Sequence, residues 1–309
     1  MQKLRPRFSL LVVEPYTYKP LEGLLKLNKE DYKCINLFRL LEKVEEDISP
    51  SPKGRAKRLM LFFYIIDILR SSGAPFYVKG GLVLQYYLKE HARSTNDIDI
   101  LIGMDPDEFF NFIKKAFKNN IYGLDIKIAN YEKREADSKY YFPTFSMDLL
   151  VSYLGKEIDT ISLEGIYGDL FNKVSPKEYK GPSIIKEDYT FLGVSIEYIF
   201  AEKILSITSE LDRPYKHLVD AYSISQVEID MDELKKYLNI ILSFENIARE
   251  KLGISINEYK YEIRPDKRFT RSYFIPMIQA GYTLLFEEMV QFMNQYLSNI
   301  SKNTFSSNH

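Results

Sequence analysis

Two aspartates and two glycines in one short stretch of the sequence have the types and spacing for chemistry on phosphates. Asp97 and Asp99 flank one apolar residue in a predicted strand, so both carboxylates project from the same face. Neighbouring carboxylates repel each other unless a cation lies between them, and a hard divalent ion such as Mg²⁺ suits oxygen ligands. Gly80 and Gly81 follow an earlier strand, where a turn without side chains brings backbone N–H groups to a triphosphate. This combination predicts a metal-dependent nucleotidyltransferase site.

A third carboxylate would complete a site for two metal ions. Asp148 is the candidate, because it is the only acid in the apolar strand pattern FSMDLLV, where an unpaired carboxylate is costly. We expect it on a strand that neighbours the strand of Asp97 and on the same face. A strand-edge aspartate held by backbone groups is the alternative. Mg²⁺ is the expected ion, and Mn²⁺ is compatible with the same ligands.

Three cations are placed where they could neutralise phosphate. Lys203 falls within the apolar stripe of a predicted helix, so its ammonium group must reach a phosphate, reach a carboxylate, or extend to the edge of the stripe. Arg93 precedes the strand of the two aspartates and could clamp a phosphate or pair with Asp97. Lys79 stands beside the double glycine and is either solvated or in contact with phosphate.

At this point the sequence resembles a known family. It is similar to the AbiEii/AbiGii nucleotidyltransferase toxins, which are related to the MenT toxins, within the DNA polymerase β-like superfamily. The resemblance covers roughly the middle half of the chain. Two positions depart from the family pattern: Leu82 follows the double glycine, and Lys216-His217 replaces a more highly charged pair. The segments that carry the resemblance are KGG at 79–81, RSTNDID at 93–99, SIEYIFAEKILSI at 195–207 and RPYKHLVDAYSI at 213–224.

The resemblance implies an activity and a biological role. A nucleoside monophosphate would pass from a nucleoside triphosphate to an acceptor, with the 3′ end of tRNA as the leading acceptor. The protein would be the toxin of a type IV toxin–antitoxin or phage-defence system, with an antitoxin as partner. The resemblance also implies that Asp148 holds the catalytic metal and that Asp220 is functional. From the residues alone, Asp220 is a routine i, i+4 partner of Lys216.

Two other functions stay open. One is a nucleotidyltransferase that modifies a small molecule or a protein, which the net charge of −1 mildly favours over an RNA acceptor. The other is a catalytically silent nucleotide-binding or interaction module. The intact pair of Asp97 and Asp99 argues against this module, since two adjacent acids burden a fold that holds no cation.

The order of apolar patterns predicts an α/β (α+β) domain with a mixed sheet, followed by a mainly helical C-terminal domain. The resemblance makes the first of these polymerase-β-like. We place a helical extension at 1–53, the catalytic domain at 54–194 and the helical domain at 195–309. Predicted strands cover 76–79, 97–102, 124–128, one or two segments within 140–153, and 190–194. Predicted helices include 56–71, 82–91, a helix opened by Asp105-Pro106, 196–209, 214–223, 232–251 and 276–297.

Composition excludes several other classes of protein. Cys34 is the only cysteine, so an internal disulfide framework is excluded, and three scattered histidines predict no histidine metal site. Glu14 and Pro15 interrupt the N-terminal apolar run, so we expect neither a signal peptide nor a membrane span but a cytoplasmic protein. The basic and aromatic segment 259–273 could contact RNA or form a solvated hairpin.

Overall fold

A computed structural model describes most of the chain. The described residues are 20–32, 36–48, 54–137, 141–209, 216–255, 262–263, 280–282 and 286–305. Cys34 and all the basic and aromatic residues of the 259–273 segment lie outside these ranges, as does the start of the helix predicted at 276–297.

Within these ranges the chain alternates helices with the strands of one sheet. The helices are α1 (Pro20–Lys26), α2 (Leu37–Asp47), α3 (Arg55–Ser71), α4 (Gly80–Leu88), α5 (Pro106–Lys118), α6 (Ile196–Thr208), α7 (Lys216–Ile224), α8 (Met231–Lys251) and α9 (Phe286–Phe305). The strands are β1 (Phe76–Lys79), β2 (Asp97–Ile102), β3 (Leu124–Arg134), β4 (Thr144–Tyr153), β5 (Lys156–Tyr167), β6 (Lys177–Lys180) and β7 (Thr190–Gly193).

The seven strands form a mixed sheet, which confirms the predicted fold class. Their order is β3-β4-β5-β2-β1-β7-β6. The β2–β5 and β1–β7 pairs are parallel, while the β1–β2, β3–β4, β4–β5 and β6–β7 pairs are antiparallel. The strand of the two aspartates therefore lies at the centre of the sheet, between β5 and β1.

One face of the sheet is buried and the other carries the polar residues. On β4, alternate side chains from Phe145 to Val151 are buried, and Ile161 and Leu163 continue this face on β5. The helix α5 has buried apolar residues at helical spacing on the side that faces the core. Asp105 caps its first turn, because its side chain accepts a hydrogen bond from the backbone N–H of Asp107. On the opposite face, Asp97 and Asp99 are partly exposed to solvent.

Several predicted elements have the predicted bounds, and two strands were missed. The strands at 76–79 and 97–102 are found as predicted, and the predicted helix at 56–71 corresponds to α3. The predicted turn at Gly80 and Gly81 is instead the first two residues of α4. The strands β5 and β6 were not predicted, although β5 pairs in parallel with β2.

The buried side chains form one continuous cluster that runs from α1 to α9. The predicted domain boundaries at 53/54 and 194/195 stay predictions. Among the described helices, none combines the length and the apolar character needed to cross a membrane.

Candidate active site

The central feature of the polar sheet face is the pair of carboxylates on β2. Asp97 and Asp99 share this face, and Asp99 lies opposite Lys79 at the end of β1. Burial raises the pKa of Asp99, the charge of Asp97 raises it further, and the positive charges of Lys79 and Lys203 oppose the shift. Burial and mutual repulsion therefore disfavour the ionised form of the pair, and a bound cation would stabilise it.

The double glycine makes room for this pair. Gly80 has a left-handed φ of +69°, and a Cβ atom there would lie 1.9 Å from Oδ2 of Asp99. A Cβ atom on Gly81 would lie 2.6 Å from Oγ1 of Thr95. The Thr95 hydroxyl is 3.0 Å from Oδ1 of Asp97 and 3.1 Å from its carbonyl oxygen. The glycines thus let the start of α4 approach Asp99 and Thr95, and their predicted contact with phosphate stays a prediction.

Lys79 is buried in an ion pair rather than solvated. Its Nζ atom lies 2.6 Å from Oε1 of Glu202, which also accepts a hydrogen bond of 3.1 Å from the hydroxyl of Tyr198. Burial alone lowers the pKa of Lys79, but the charges of Glu202 and Asp99 outweigh burial, so the net direction is upward. Lys79 therefore stays charged beside Asp99. The expectation of a solvated Lys79 is wrong, because α6 brings Glu202 to the end of β1.

Arg93 pairs with Asp220, whereas the sequence left a phosphate or Asp97 as its expected partner. Nε lies 2.8 Å from Oδ1 of Asp220, and Nη2 lies 3.1 Å from Oδ2, which makes the contact bidentate. The Asp220 side chain is only 2% exposed. Because Asp220 faces Arg93, its predicted role as a routine partner of Lys216 within α7 is replaced by a contact between α7 and the loop before β2.

Lys203 joins the same cluster from α6. Its Nζ atom is 3.4 Å from Oδ2 of Asp220 and 2.9 Å from Nδ1 of His217. Burial lowers the pKa of Lys203, although the charge of Asp220 acts in the opposite direction. Of the three alternatives that the sequence left for Lys203, the structure shows contact with a carboxylate, and its expected contact with phosphate stays a prediction.

The strand next to β2 carries Glu164 rather than Asp148. Asp99 pairs in register with Glu164 on β5, while Asp97 pairs with Ser162 and Ser162 in turn with Asp148 on β4. The expected placement of Asp148 on a neighbouring strand is wrong, because β5 lies between β4 and β2. Its expected role as a metal ligand stays a prediction. Burial raises the pKa of Glu164, and the charges of Asp99 and Asp97 add to this.

Glu164 and Glu202 were not singled out from the sequence. The alternation in the segment ISLEGI places Glu164 on the polar face of a strand, and this pattern could have identified it. No local pattern marks Glu202, since its partner Lys79 is 123 residues away.

The residues present fit a magnesium ion held by two carboxylates. In the part of the chain that the structure describes, no three or more His, Cys, Asp or Glu side chains surround a common point. Mg²⁺ does not need such a cage, because it often takes one or two protein carboxylates and completes its shell with water and substrate phosphates. Burial and the charge of Asp97 raise the pKa of Asp99 in spite of Lys79 and Lys203, so a cation bound by the pair would stabilise both carboxylates.

A comparison with protein families assigns the chain to one of them. The family described as nucleotidyl transferase AbiEii toxin, type IV toxin–antitoxin system, matches residues 67–300, which is more than half of the chain. The chain belongs to this family. The AbiEii membership confirms the resemblance seen in the sequence, and it makes the protein a nucleotidyltransferase. The matched region includes the carboxylate pair, the double glycine, and the Arg93–Asp220–Lys203 cluster.

Solved structures give more remote likenesses to this AbiEii protein. JHP933 from Helicobacter pylori has 15% identity and a TM-score of 0.41, over 84% of this chain and 99% of that chain. An antigenic nucleotidyltransferase-like protein from Paracoccidioides brasiliensis has 15% identity and a TM-score of 0.38, over 66% and 95%. The Megavirus polyadenylate synthase has 11% identity and a TM-score of 0.29, over 93% and 53%. The comparison with curated proteins found no match. Family membership therefore rests on the family match.

Proposed function

We propose that this AbiEii protein transfers a nucleoside monophosphate from a nucleoside triphosphate to an acceptor hydroxyl, with the 3′ end of tRNA as the leading acceptor. The proposal places it as the toxin of a type IV toxin–antitoxin or phage-defence pair. The observation that carries the proposal is the placement of Asp97 and Asp99 on one strand face, with Gly80 packed against Asp99 and the buried Lys79 opposite Asp99.

Asp97 and Asp99 are the proposed ligands of Mg²⁺, with Mn²⁺ as a substitute. When bound, the ion supplies positive charge to the triphosphate. Lys203 is buried at the same site and adds fixed positive charge for phosphate oxygens. The backbone N–H groups at Gly80 and Gly81, in the first turn of α4, are the proposed phosphate cradle.

Glu164 is the proposed acceptor of the proton. It lies in register beside Asp99, and its raised pKa brings it closer to the pKa that a base at neutral pH needs. The acceptor oxygen forms a bond to the α-phosphorus, and the bond from that phosphorus to the β-phosphate oxygen breaks. Pyrophosphate leaves, and the hydroxyl proton passes to Glu164.

The first test is label transfer into cellular acceptors. Each α-³²P nucleoside triphosphate is incubated in turn with Mg²⁺, the protein, total RNA and total protein. The double variant Asp97→Ala/Asp99→Ala is compared with Asp125→Ala, a change of an exposed aspartate on β3. We expect label in tRNA-sized RNA with wild type and Asp125→Ala only. Label in a protein band or a small molecule would show that the acceptor is not RNA. The net charge of −1 is compatible with such an acceptor.

Expression in a bacterial host tests the proposed role as a toxin. We expect wild-type expression to arrest growth and the double aspartate variant to permit it at equal protein levels. Equal arrest by both proteins would contradict a toxicity that depends on nucleotidyl transfer.

A further inference from the structure

One buried carboxylate serves two cations next to the candidate active site. Asp220 receives the bidentate contact of Arg93, and its Oδ2 atom also lies 3.4 Å from Nζ of Lys203. Among the described residues, no other carboxylate forms an ion pair with Lys203. When both cations are protonated, this cluster of Arg93, Asp220 and Lys203 therefore has one positive charge in excess. That charge acts on Asp99, so it lies at the same site as the carboxylate pair.

His217 gives Lys203 its second contact. Nδ1 of His217 lies 2.9 Å from Nζ of Lys203, closer than the carboxylate of Asp220. An ammonium group only donates hydrogen bonds, so Nδ1 is the acceptor and the imidazole is neutral, with its proton on Nε2. His217 and Asp220 are three residues apart on α7 and therefore share one side of the helix. The helix α7 thus presents two acceptors to Lys203, and only one of them is charged.

These two contacts orient the ammonium group of Lys203 before a ligand binds. An ammonium group has three N–H donors, and two of them are directed to His217 and Asp220. Among the described residues, no further acceptor contacts Nζ of this buried lysine. The third N–H donor is therefore available to a ligand. Because the long side chain is already ordered, a ligand that binds it does not have to bring about that ordering.

The neutral imidazole decides the charge that is left for a ligand. A carboxylate at position 217 could accept the same hydrogen bond, but it would cancel the excess positive charge of the cluster. The electrostatic attraction between the cluster and a phosphate would then be largely lost. The sequence departs from the pattern of its family at this position, where Lys216-His217 replaces a more highly charged pair.

We propose that His217 is a positioning residue that directs Lys203 toward the nucleoside triphosphate, and that its neutral imidazole leaves the positive charge of Lys203 to the phosphates. His217 acts through Lys203 and does not contact the reacting atoms. This inference rests on the proposed binding of a nucleoside triphosphate.

Three substitutions at position 217 separate the hydrogen bond from the charge. In His217→Asn, Oδ1 takes the place of Nδ1, so a neutral acceptor remains. His217→Asp keeps an acceptor and adds a negative charge, and His217→Phe keeps a ring without an acceptor. His91→Asn is the matched control, because His91 is exposed and its Nδ1 atom contacts the carbonyl oxygen of Ala280. Equilibrium binding of each nucleoside triphosphate with Mg²⁺ is measured, together with kcat and KM for label transfer and unfolding in urea.

We expect His217→Asn and His91→Asn to bind nucleoside triphosphate within about threefold of wild type. His217→Asp and His217→Phe should bind it about tenfold more weakly, with a raised KM and a smaller change in kcat. His217→Asp should be at least as stable in urea as wild type, because it adds a carboxylate beside Lys203. Weaker nucleotide binding without a loss of stability distinguishes positioning from a role in the fold alone.

The variant Lys203→Met tests whether His217 acts through Lys203. In that background, His217→Phe should change nucleotide binding by less than about twofold. A further loss of about tenfold there would overturn the inference. Wild-type binding by His217→Asp or His217→Phe would also overturn it, as would binding by His217→Asn as weak as that by His217→Phe. A wild-type protein that bound no nucleoside triphosphate would instead overturn the proposed function.

Discussion

The carboxylate of Asp99 occupies the space that any side chain at position 80 would need. A Cβ atom on Gly80 would lie 1.9 Å from Oδ2 of Asp99 and 2.7 Å from its carboxyl carbon. Gly80 also has a left-handed φ, which favours glycine. The first turn of α4 and the β2 carboxylate are therefore placed together by the absence of one side chain, and the proposed phosphate cradle adjoins the proposed metal ligand for this reason.

This relationship predicts the effect of adding one methyl group. Gly80→Ala should displace Asp99 and reduce Mg²⁺-dependent nucleotide binding at least tenfold. Gly73→Ala is the matched control, because Gly73 also has a left-handed φ but no atom within 4 Å of its added Cβ. Both variants should lose about 1 kcal/mol of stability from backbone strain. Nucleotide binding by Gly80→Ala at the wild-type level would contradict the proposed site.

Lys203 should cost stability in the free protein. Its pKa is lowered by burial, so keeping Lys203 charged in the fold costs free energy. The unfolded chain then binds more protons between this lowered pKa and the ordinary value of 10.5, and stability rises with pH across that window. Lys203→Met keeps the Arg93–Asp220 pair and should be at least as stable as wild type at neutral pH. The stability of this variant should not rise with pH across that window.

Denaturation in urea at several pH values measures the stability of both proteins. The same variant should lose at least tenfold in affinity for nucleoside triphosphate, measured by equilibrium binding with Mg²⁺. A less stable Lys203→Met that still binds nucleotide would show that Lys203 serves the fold alone.

Asp220 should behave as a structural clamp between α7 and the loop before β2. Asp220→Asn leaves Arg93 and Lys203 facing each other without their shared anion, and breaking a buried pair costs about 3 kcal/mol or more. Asp125→Asn, at an exposed position on β3, should change stability by less than about 0.5 kcal/mol. Chemical denaturation measures both. An inactive Asp220→Asn with wild-type stability would instead show that Asp220 takes part in the transfer reaction.

Glu164 should govern the acidic side of the pH profile. A base must be deprotonated, so transfer should rise with pH through the raised pKa of Glu164. Glu164→Gln should transfer at least a hundredfold more slowly and should lack this rise, while nucleotide binding persists. The measurement is the rate of label transfer from pH 4.5 to 8.5. A wild-type rate in the variant would exclude Glu164 as the proton acceptor.

The sequence revealed the parts of the site that are local. Asp97 and Asp99 share a strand face by their spacing, and the double glycine stands out because glycine alone accepts such close approach. Lys203 was visible as a charge on an apolar helical stripe. Each of these follows from a period of two or of 3.6 residues, or from one residue type.

The partners of these residues could not be obtained in the same way. Glu164 faces Asp99 only because β5 pairs in parallel with β2, and Asp148 is displaced from that position by the same pairing. Arg93 and Asp220 are 127 residues apart, and Lys79 and Glu202 are 123 apart. Strand order and helix packing set these contacts, and neither is encoded in a short pattern.

The most direct test of the central claim compares the fate of two phosphates. Parallel reactions contain α-³²P or γ-³²P nucleoside triphosphate, Mg²⁺ and total RNA, with wild type and with Asp97→Asn/Asp99→Asn. Nucleotidyl transfer predicts that the α-label enters RNA and that the γ-label is released only in pyrophosphate. The variant should neither label RNA nor release pyrophosphate. The γ-label in the acceptor, or α-label transfer that persists in the variant, would contradict the account.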